Sequence, residues 1–322
     1  MSGGELFHYT TGDGLKGILQ DHDFRITHYV HLNDASEMVL LKPNLDELFR
    51  KELSGLILND QQRCGKLEKA VQREHAINEA DSIFDLALAE VDRLSPIFVG
   101  SFCNHQENHY ANMHGLLSQW RGYGFGGGYC IVFDKDRLIA LFDEFEDRLR
   151  FSSMQHGLVK YLTSDPKVDL SKLDGLASAL YKSKFNSLSK KAIPKNNLVN
   201  WLRYDNVSAD LHTELLLRMV LEEMPFYKHE AFLEEGEYRI AAAALTQSAV
   251  NPAGRTPAYE FRVRSNEIVP FVKLFGKKVE LPINRIIVGP GGDPRKRVHG
   301  AGQLARSCGL NIEVSQSEIP FS

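Results

Sequence analysis

Residues 118–134 read SQWRGYGFGGGYCIVFD. The polar and aromatic cluster Gln119, Trp120, Arg121 and Tyr123 runs into the glycines Gly124, Gly126, Gly127 and Gly128. The apolar run 129–133 follows, and Asp134 closes it. Its length and lack of alternation predict a strand buried on both faces. The glycines ahead of it let the backbone turn sharply or lie close to another group. An indole, a guanidinium and a phenol beside such a turn point to one wall of a ligand pocket.

Outward from this stretch, β-forming residues predict strands at 5–10, 24–29 and 97–102 on the N-terminal side. On the C-terminal side they predict strands at 157–162, 236–244, 259–263, 268–272, 285–288 and 310–314. Helical spacing of apolar residues marks 15–19, with Thr11 or Asp13 as cap, and 138–145, capped by Asp134. The same spacing in 41–57 and 67–91 predicts a helical hairpin, and 170–180 and 211–222 read as further helices. Asp293 caps a last helix whose first position is Pro294. Residues 103–117 read as a loop and 226–233 as a turn region. Strands and helices mixed in this way predict an α+β fold. The chain reads as one domain, 1–322, with a helical hairpin insert at 36–95 and a variable, partly helical insert at 151–206. Residues 182–197 are basic and polar and read as a hinge, but too few strands lie on either side for two sheets.

The chain has 322 residues, 43% of them hydrophobic and 25% charged, which suits a soluble protein with a sizeable core. The net charge of −4 gives no general attraction to nucleic acid or to an anionic membrane. No apolar run is long enough to span a bilayer, and no basic-then-apolar leader opens the chain. A cytoplasmic location is expected. Cys64, Cys103, Cys130 and Cys308 are scattered without metal-ligand spacing, as in a reduced compartment.

Several polar residues stand out, each with two readings. His8 is either a core histidine bonded to backbone or a donor to a ligand. Asn33, Asp34 and Glu37 form either a helix cap or a ligand contact. Arg121 suits a phosphate or carboxylate, or else a salt bridge to Glu237 or Asp134. Trp120 and Tyr123 are pocket aromatics or core. Glu237 shares a strand face with Arg239, where a carboxylate can hold sugar hydroxyls or steady a developing cation. Residues 289–293 before Arg295, Lys296 and Arg297 look like a weak anion site at a helix N-terminus. His105, His109 and His114 lack metal-site spacing.

The segments FHYTTGDGLKGIL, HLNDASE, VGSFC, LSQWRGYGFGGGYCIVFD, FYKHEAFLEEGEYRI, IIVGPGG and SEIPFS, in this order from Leu6 to Ser322, resemble the bacterial family called domain of unknown function 2971. A more distant resemblance is to the ADP-ribosyltransferase fold, through a histidine on a first strand followed by Thr and an Ile-Leu helix. That resemblance implies a mixed, mostly antiparallel central sheet with helical inserts packed around it. It implies NAD as substrate, without a metal, and ADP-ribose transfer to a macromolecule or NAD hydrolysis. Its site would use Glu237, Arg121 and Tyr123 as catalytic residues, with Tyr29 and Tyr129 as rivals for the tyrosine. Ligand contacts would come from His8, Tyr9, Thr10, Asn33, Glu37, Ser101, Gln119, Trp120 and Arg239. His8, the central stretch and the strand of Glu237 are expected to meet as three strands around one cleft. Glu237→Gln is expected to stop turnover and leave the fold intact. A nucleic-acid or protein acceptor, a toxin or antiphage role and an antitoxin-like or defence-system partner would fit. The alternative is a non-catalytic nucleotide-binding or sensor module. A hydrolase or nuclease would need a metal cluster or an activated nucleophile, which the sequence lacks in recognisable form.

Overall fold

A computed structural model describes residues 4–22, 24–32, 96–105, 108–124, 127–144, 151–162, 223–244, 259–264, 266–275 and 279–320, with scattered positions between 40 and 59. The helices expected at 67–91, 170–180 and 211–222 lie outside these residues, as do Asn33, Asp34 and Glu37. So do the insert 36–95, scattered positions apart, and most of the insert 151–206.

The apolar run forms strand β4 (Tyr129–Asp134). It lies between β1 (Glu5–Thr10) and β11 (Ile283–Val288), antiparallel to both. Both of its faces are covered, which is why it does not alternate. Ile131 and Phe133 enter one core, and Cys130 and Val132 enter a second. β12 (Glu313–Gln316) adds in parallel beyond β11. On the other side, β1 pairs with β3 (Ile97–Cys103), β3 with β8 (Glu237–Ala244) and β8 with β5 (Phe151–Leu158), all antiparallel. The segment expected as an insert at 151–206 thus opens with a strand of the main sheet.

β8 takes the whole of one edge of β3, from Ile97 to Cys103. The opposite edge is shared. Its C-terminal end takes β1 at Phe7↔Cys103, and its N-terminal end takes β2 (Arg25–His28) at Thr27↔Val99 and His28↔Phe98. The sheet therefore forks at β3, and β2 leads on to β10 (Glu267–Lys273) and β9 (Glu260–Arg264). A small parallel pair, β6 (Lys160–Leu162) and β7 (Tyr227–His229), stands apart.

Helices pack on both faces of this frame. α1 (Gly12–Asp21), α4 (Lys135–Glu144) and α5 (Pro294–Ser307) cover one face and bury Leu15, Ile18, Leu138, Phe142, Ala301 and Ala305 there. The capping expectations hold for α1, where Thr11 accepts from the Gly14 N–H, and for α5, where Asp293 accepts from the N–H groups of Arg295 and Lys296. α2 (His109–His114) occupies residues expected to be loop. α3 (Leu117–Tyr123) covers the other face, packing Trp120 against Phe7, Tyr9, Cys103 and Ile287. Among the described residues, no helix is long and apolar enough to cross a membrane.

Candidate functional site

The chain around Glu237 folds back on itself. After β7, residues Glu230–Glu235 form a 3-10 turn, and Gly236 reverses the backbone at φ 51° before β8 begins. A Cβ on Gly236 would sit 2.8 Å from the Asn104 carbonyl oxygen, so this turn requires glycine. The reversal brings Lys228, Glu235 and Glu237 together. Lys228 Nζ donates to Glu235 Oε2 at 2.7 Å and to Glu237 Oε1 at 2.8 Å. Arg239 Nε donates to Glu237 Oε2 at 2.5 Å, and its Nη1 donates to the Pro225 carbonyl at 2.8 Å. The Glu237 N–H donates to Tyr161 Oη at 2.8 Å. Lys228 Nζ also lies 4.5 Å from the centre of the Phe232 ring. All four charged residues are buried.

Lys228 lowers both carboxyl pKa values, and the unequal share of Arg239 and of burial drives them apart. Burial, then a hydrogen bond shared with Glu237, pushes Glu235 up to about 7. Burial would also raise Glu237, but the Arg239 and Lys228 charges outweigh it and hold Glu237 at about 2. Near neutrality one carboxyl is therefore ionised and the other titrates. Two carboxyl groups poised in this way can take different roles, one as a fixed negative charge and one as a proton acceptor. Tyr123 is 36% exposed, yet its phenol pKa is raised, first by burial and then by the Glu237 carboxylate. Cys103 stands directly across the sheet from Glu237, and its buried thiol pKa is raised well above the usual value.

Glu237 and Arg239 are thus brought together, with Ser101 on the same face and Tyr123 near enough to feel the Glu237 charge, whereas the other expected site residues lie elsewhere. His8 lies on the opposite face of the sheet. Its ring packs on Phe24 and Phe102, with centroids 4.9 and 5.6 Å away. His8 Nδ1 is 3.1 Å from the Ser101 carbonyl, which can only accept, so Nδ1 carries the proton. This bond stands in the fork between β1 and β2 and replaces a missing ladder bond; the core reading of His8 holds. Thr10, at the end of β1, packs against the start of α1, where a Cβ on Gly14 would overlap its hydroxyl. Tyr9 Oη accepts from the Leu116 N–H and bonds His105 Nε2, each at 2.9 Å, and so ties β1 to the α3 region. Burial lowers the His105 pKa to about 4. Ser101 faces the cluster side, opposite Arg239.

The central stretch is also corrected. Residues 117–123 are helix, and in the sheet β4 is separated from β8 by β1 and β3, so it is not the middle of three converging strands. Trp120 is fully buried core, and its Nε1 donates to the His114 carbonyl at 3.0 Å. Gln119 is buried. Gly124, Gly127 and Gly128 serve the protein's own packing. A Cβ on Gly127, at φ 129°, would come within 2.4 Å of Arg297 Nη1. That guanidinium donates to the carbonyls of Gly289, Gly291 and Gly128 at 2.8, 3.0 and 2.6 Å and fastens two glycine turns together. With Arg297 so held and Asp293 capping α5, residues 289–297 form a structural clamp, not an anion site.

Arg121 is exposed and makes no hydrogen bond or ion pair among the described residues. The expected salt bridge to Glu237 or Asp134 is absent there. Arg121→Ala should change stability by no more than about 0.5 kcal/mol. A chemical denaturation curve checks this, and a larger loss would show that Arg121 is structural.

Residues 119–240 match a family model. The chain carries a DUF2971 segment, described as a protein of unknown function. The match runs from the buried Gln119 through β4, β5, β7 and the first half of β8, and so includes every charged member of the cluster. It covers the middle of the longer resemblance traced from Leu6 to Ser322. No curated protein and no solved structure matches the chain. Within the DUF2971 segment, sequence reasoning misses two residues of the cluster, Lys228 and Glu235. In sequence, Lys228 reads as part of a turn and Glu235 as part of an exposed acidic run. The signal for both is Glu-Gly-Glu at 235–237, where a glycine between two carboxylates permits a reversal that puts them on one side.

Proposed function

We propose that the protein breaks a glycosidic bond through a cationic sugar, with NAD as substrate, as in the ADP-ribosyltransferases that its first strand and helix resemble. The observation that carries this reading is the pair Glu235 and Glu237 on one Lys228 ammonium, 2.7 and 2.8 Å away. As the bond from sugar C1′ to nicotinamide breaks, its electron pair leaves with a neutral nicotinamide, so no acid is needed there. Positive charge builds on the sugar, and the Glu237 carboxylate steadies it. The acceptor oxygen bonds to C1′, and its proton passes to Glu235, the carboxyl that titrates near neutrality. Tyr123, a partly exposed aromatic whose phenol feels the Glu237 charge, would hold the nicotinamide side. His8 has no part in this centre. An enzyme that consumes NAD endangers its own cell, so a toxin or antiphage role with a restraining partner follows from the same reading.

A base must be ionised to act. Activity should therefore rise as pH climbs through about 7, the value of Glu235. Glu235→Gln should lower turnover by roughly 10²–10⁴ and remove that limb of the pH profile. Incubation with NAD, following free nicotinamide and mass added to protein or nucleic acid, is the direct measurement. A variant with unchanged rate and profile would sink the base assignment.

A second reading, a nucleotide-binding module without turnover, is favoured by one feature. Both Glu237 oxygens are already engaged, by Lys228 and Arg239. NAD binding that Tyr123→Ala weakens, without nicotinamide release by the unaltered protein, would establish it.

A further inference from the structure

We infer that the edge strand β9 pairs antiparallel with β9 of a second copy of this chain. β9 ends the sheet, and among the described residues no strand pairs with its outer edge. Its inner edge pairs with β10, with Phe261 opposite Pro270 and Val263 opposite Ile268. Pro270 has no N–H, so the ladder bonds run through the flanking pairs, Glu260 with Phe271 and Arg262 with Val269. The N–H and C=O groups of Phe261 and Val263 therefore point outward, away from β10. The side chains of Phe261, Val263 and Ile268 share one face and are 62, 76 and 68% exposed. A free edge beside exposed apolar side chains is a template for another strand.

The order of residues in β9, Glu-Phe-Arg-Val-Arg, favours a second copy as that strand. With the two-fold axis at Arg262, all five residues find a partner. The outward groups of Phe261 then bond those of Val263 in the second copy, and the two side chains form an aromatic and β-branched pair. Glu260 comes opposite Arg264 at both ends. Glu260 lies 3.0 Å from Lys273, but both are well exposed, so that contact contributes little and leaves the carboxylate free to be shared. Arg262 meets its own copy on the other face. Its Nη2 donates to Thr27 Oγ1 at 3.0 Å, and its guanidinium lies 5.8 Å from the centre of the Phe271 ring, so its charge is drawn back over its own sheet and away from the edge.

Light scattering on the full chain across a dilution series tests this. The mass should rise with concentration from that of the 36.3 kDa chain to twice that value. Val263→Pro removes an N–H that β10 does not use, so it should leave the sheet intact and hold the protein at the monomer mass. Glu260→Lys and Arg264→Glu each set like charges opposite one another at both ends of the paired strands, and each should raise the dimer Kd about tenfold. A mixture of these two variants restores opposite charges at both ends, and its mixed dimer should recover the Kd of the unaltered protein to within about twofold. That recovery also shows that both variants are folded. A monomer mass throughout, a dimer that survives Val263→Pro, or a mixture that associates no more tightly than either variant alone would each overturn the proposal.

Discussion

Glu237→Gln should lower the stability of the protein by about 3–5 kcal/mol, the usual loss when one partner of a buried ion pair is removed. Sequence reasoning expects this substitution to spare the fold, and the structure reverses that expectation. Glu237 is 3% exposed and is the ionised carboxyl between Lys228 and Arg239. An amide leaves two buried cations facing a neutral group. Glu235 then ionises in its place, so the loss should fall at the lower end of the range. The pH dependence has a definite sign. The pKa of Glu237 is lowered from 4.5 to about 2 on folding. Its contribution is therefore present above pH 4.5 and is lost as pH falls through about 2. Wild type and variant should converge in acid and separate toward neutrality. Urea denaturation at a series of pH values measures this, and a gap below about 1 kcal/mol at pH 6 would mean that water screens the cluster. For the same reason, lost turnover in Glu237→Gln counts as chemistry only under conditions where the variant is folded.

Trp120→Ala should cost a similar amount, about 3–5 kcal/mol, through the cavity it leaves. The indole is fully buried. It meets the Tyr9 ring edge-on with centroids 4.8 Å apart, and a Cβ added to Gly289 would come within 2.6 Å of it. Backbone on that side cannot collapse into the space, because Arg297 holds the Gly289 and Gly128 carbonyls in place. Trp120→Phe should recover most of the packing and lose only the bond to the His114 carbonyl. Thermal unfolding of the two variants separates the terms. If Ala and Phe were equally destabilised, the indole N–H and not the volume would carry the effect.

Several features are legible in the order of residues alone. β4 shows its burial on two faces because five successive apolar residues have no solvent side to spare. Thr11 and the Asp293–Pro294 pair mark helix starts, since capping is settled within three or four residues. Other features mislead. Trp120, Arg121 and Tyr123 are near neighbours in sequence, but a helix sends Trp120 to the core and leaves Arg121 and Tyr123 at the surface. Gly127 of the same stretch suggests room for a ligand and instead admits Arg297, while Gly124 and Gly128 lie against backbone. Lys228 lies nine residues from Glu237, and only the 3-10 turn and Gly236 convert that separation into contact.

The sequence by itself determined an α+β chain, most of its described strands, the first and last helix caps, and a carboxylate paired with an arginine on one face of a late strand. Alternation fixes which residues of one strand share a face, but it is silent on parity between strands. Only the tertiary register decided that. Phe7 pairs with Cys103 and Cys103 with Glu237, so residue 7 shares the face of Glu237 and His8, one position on, cannot. That single-residue offset removes His8 from the site, and the turn at Gly236 adds Lys228 and Glu235 to it.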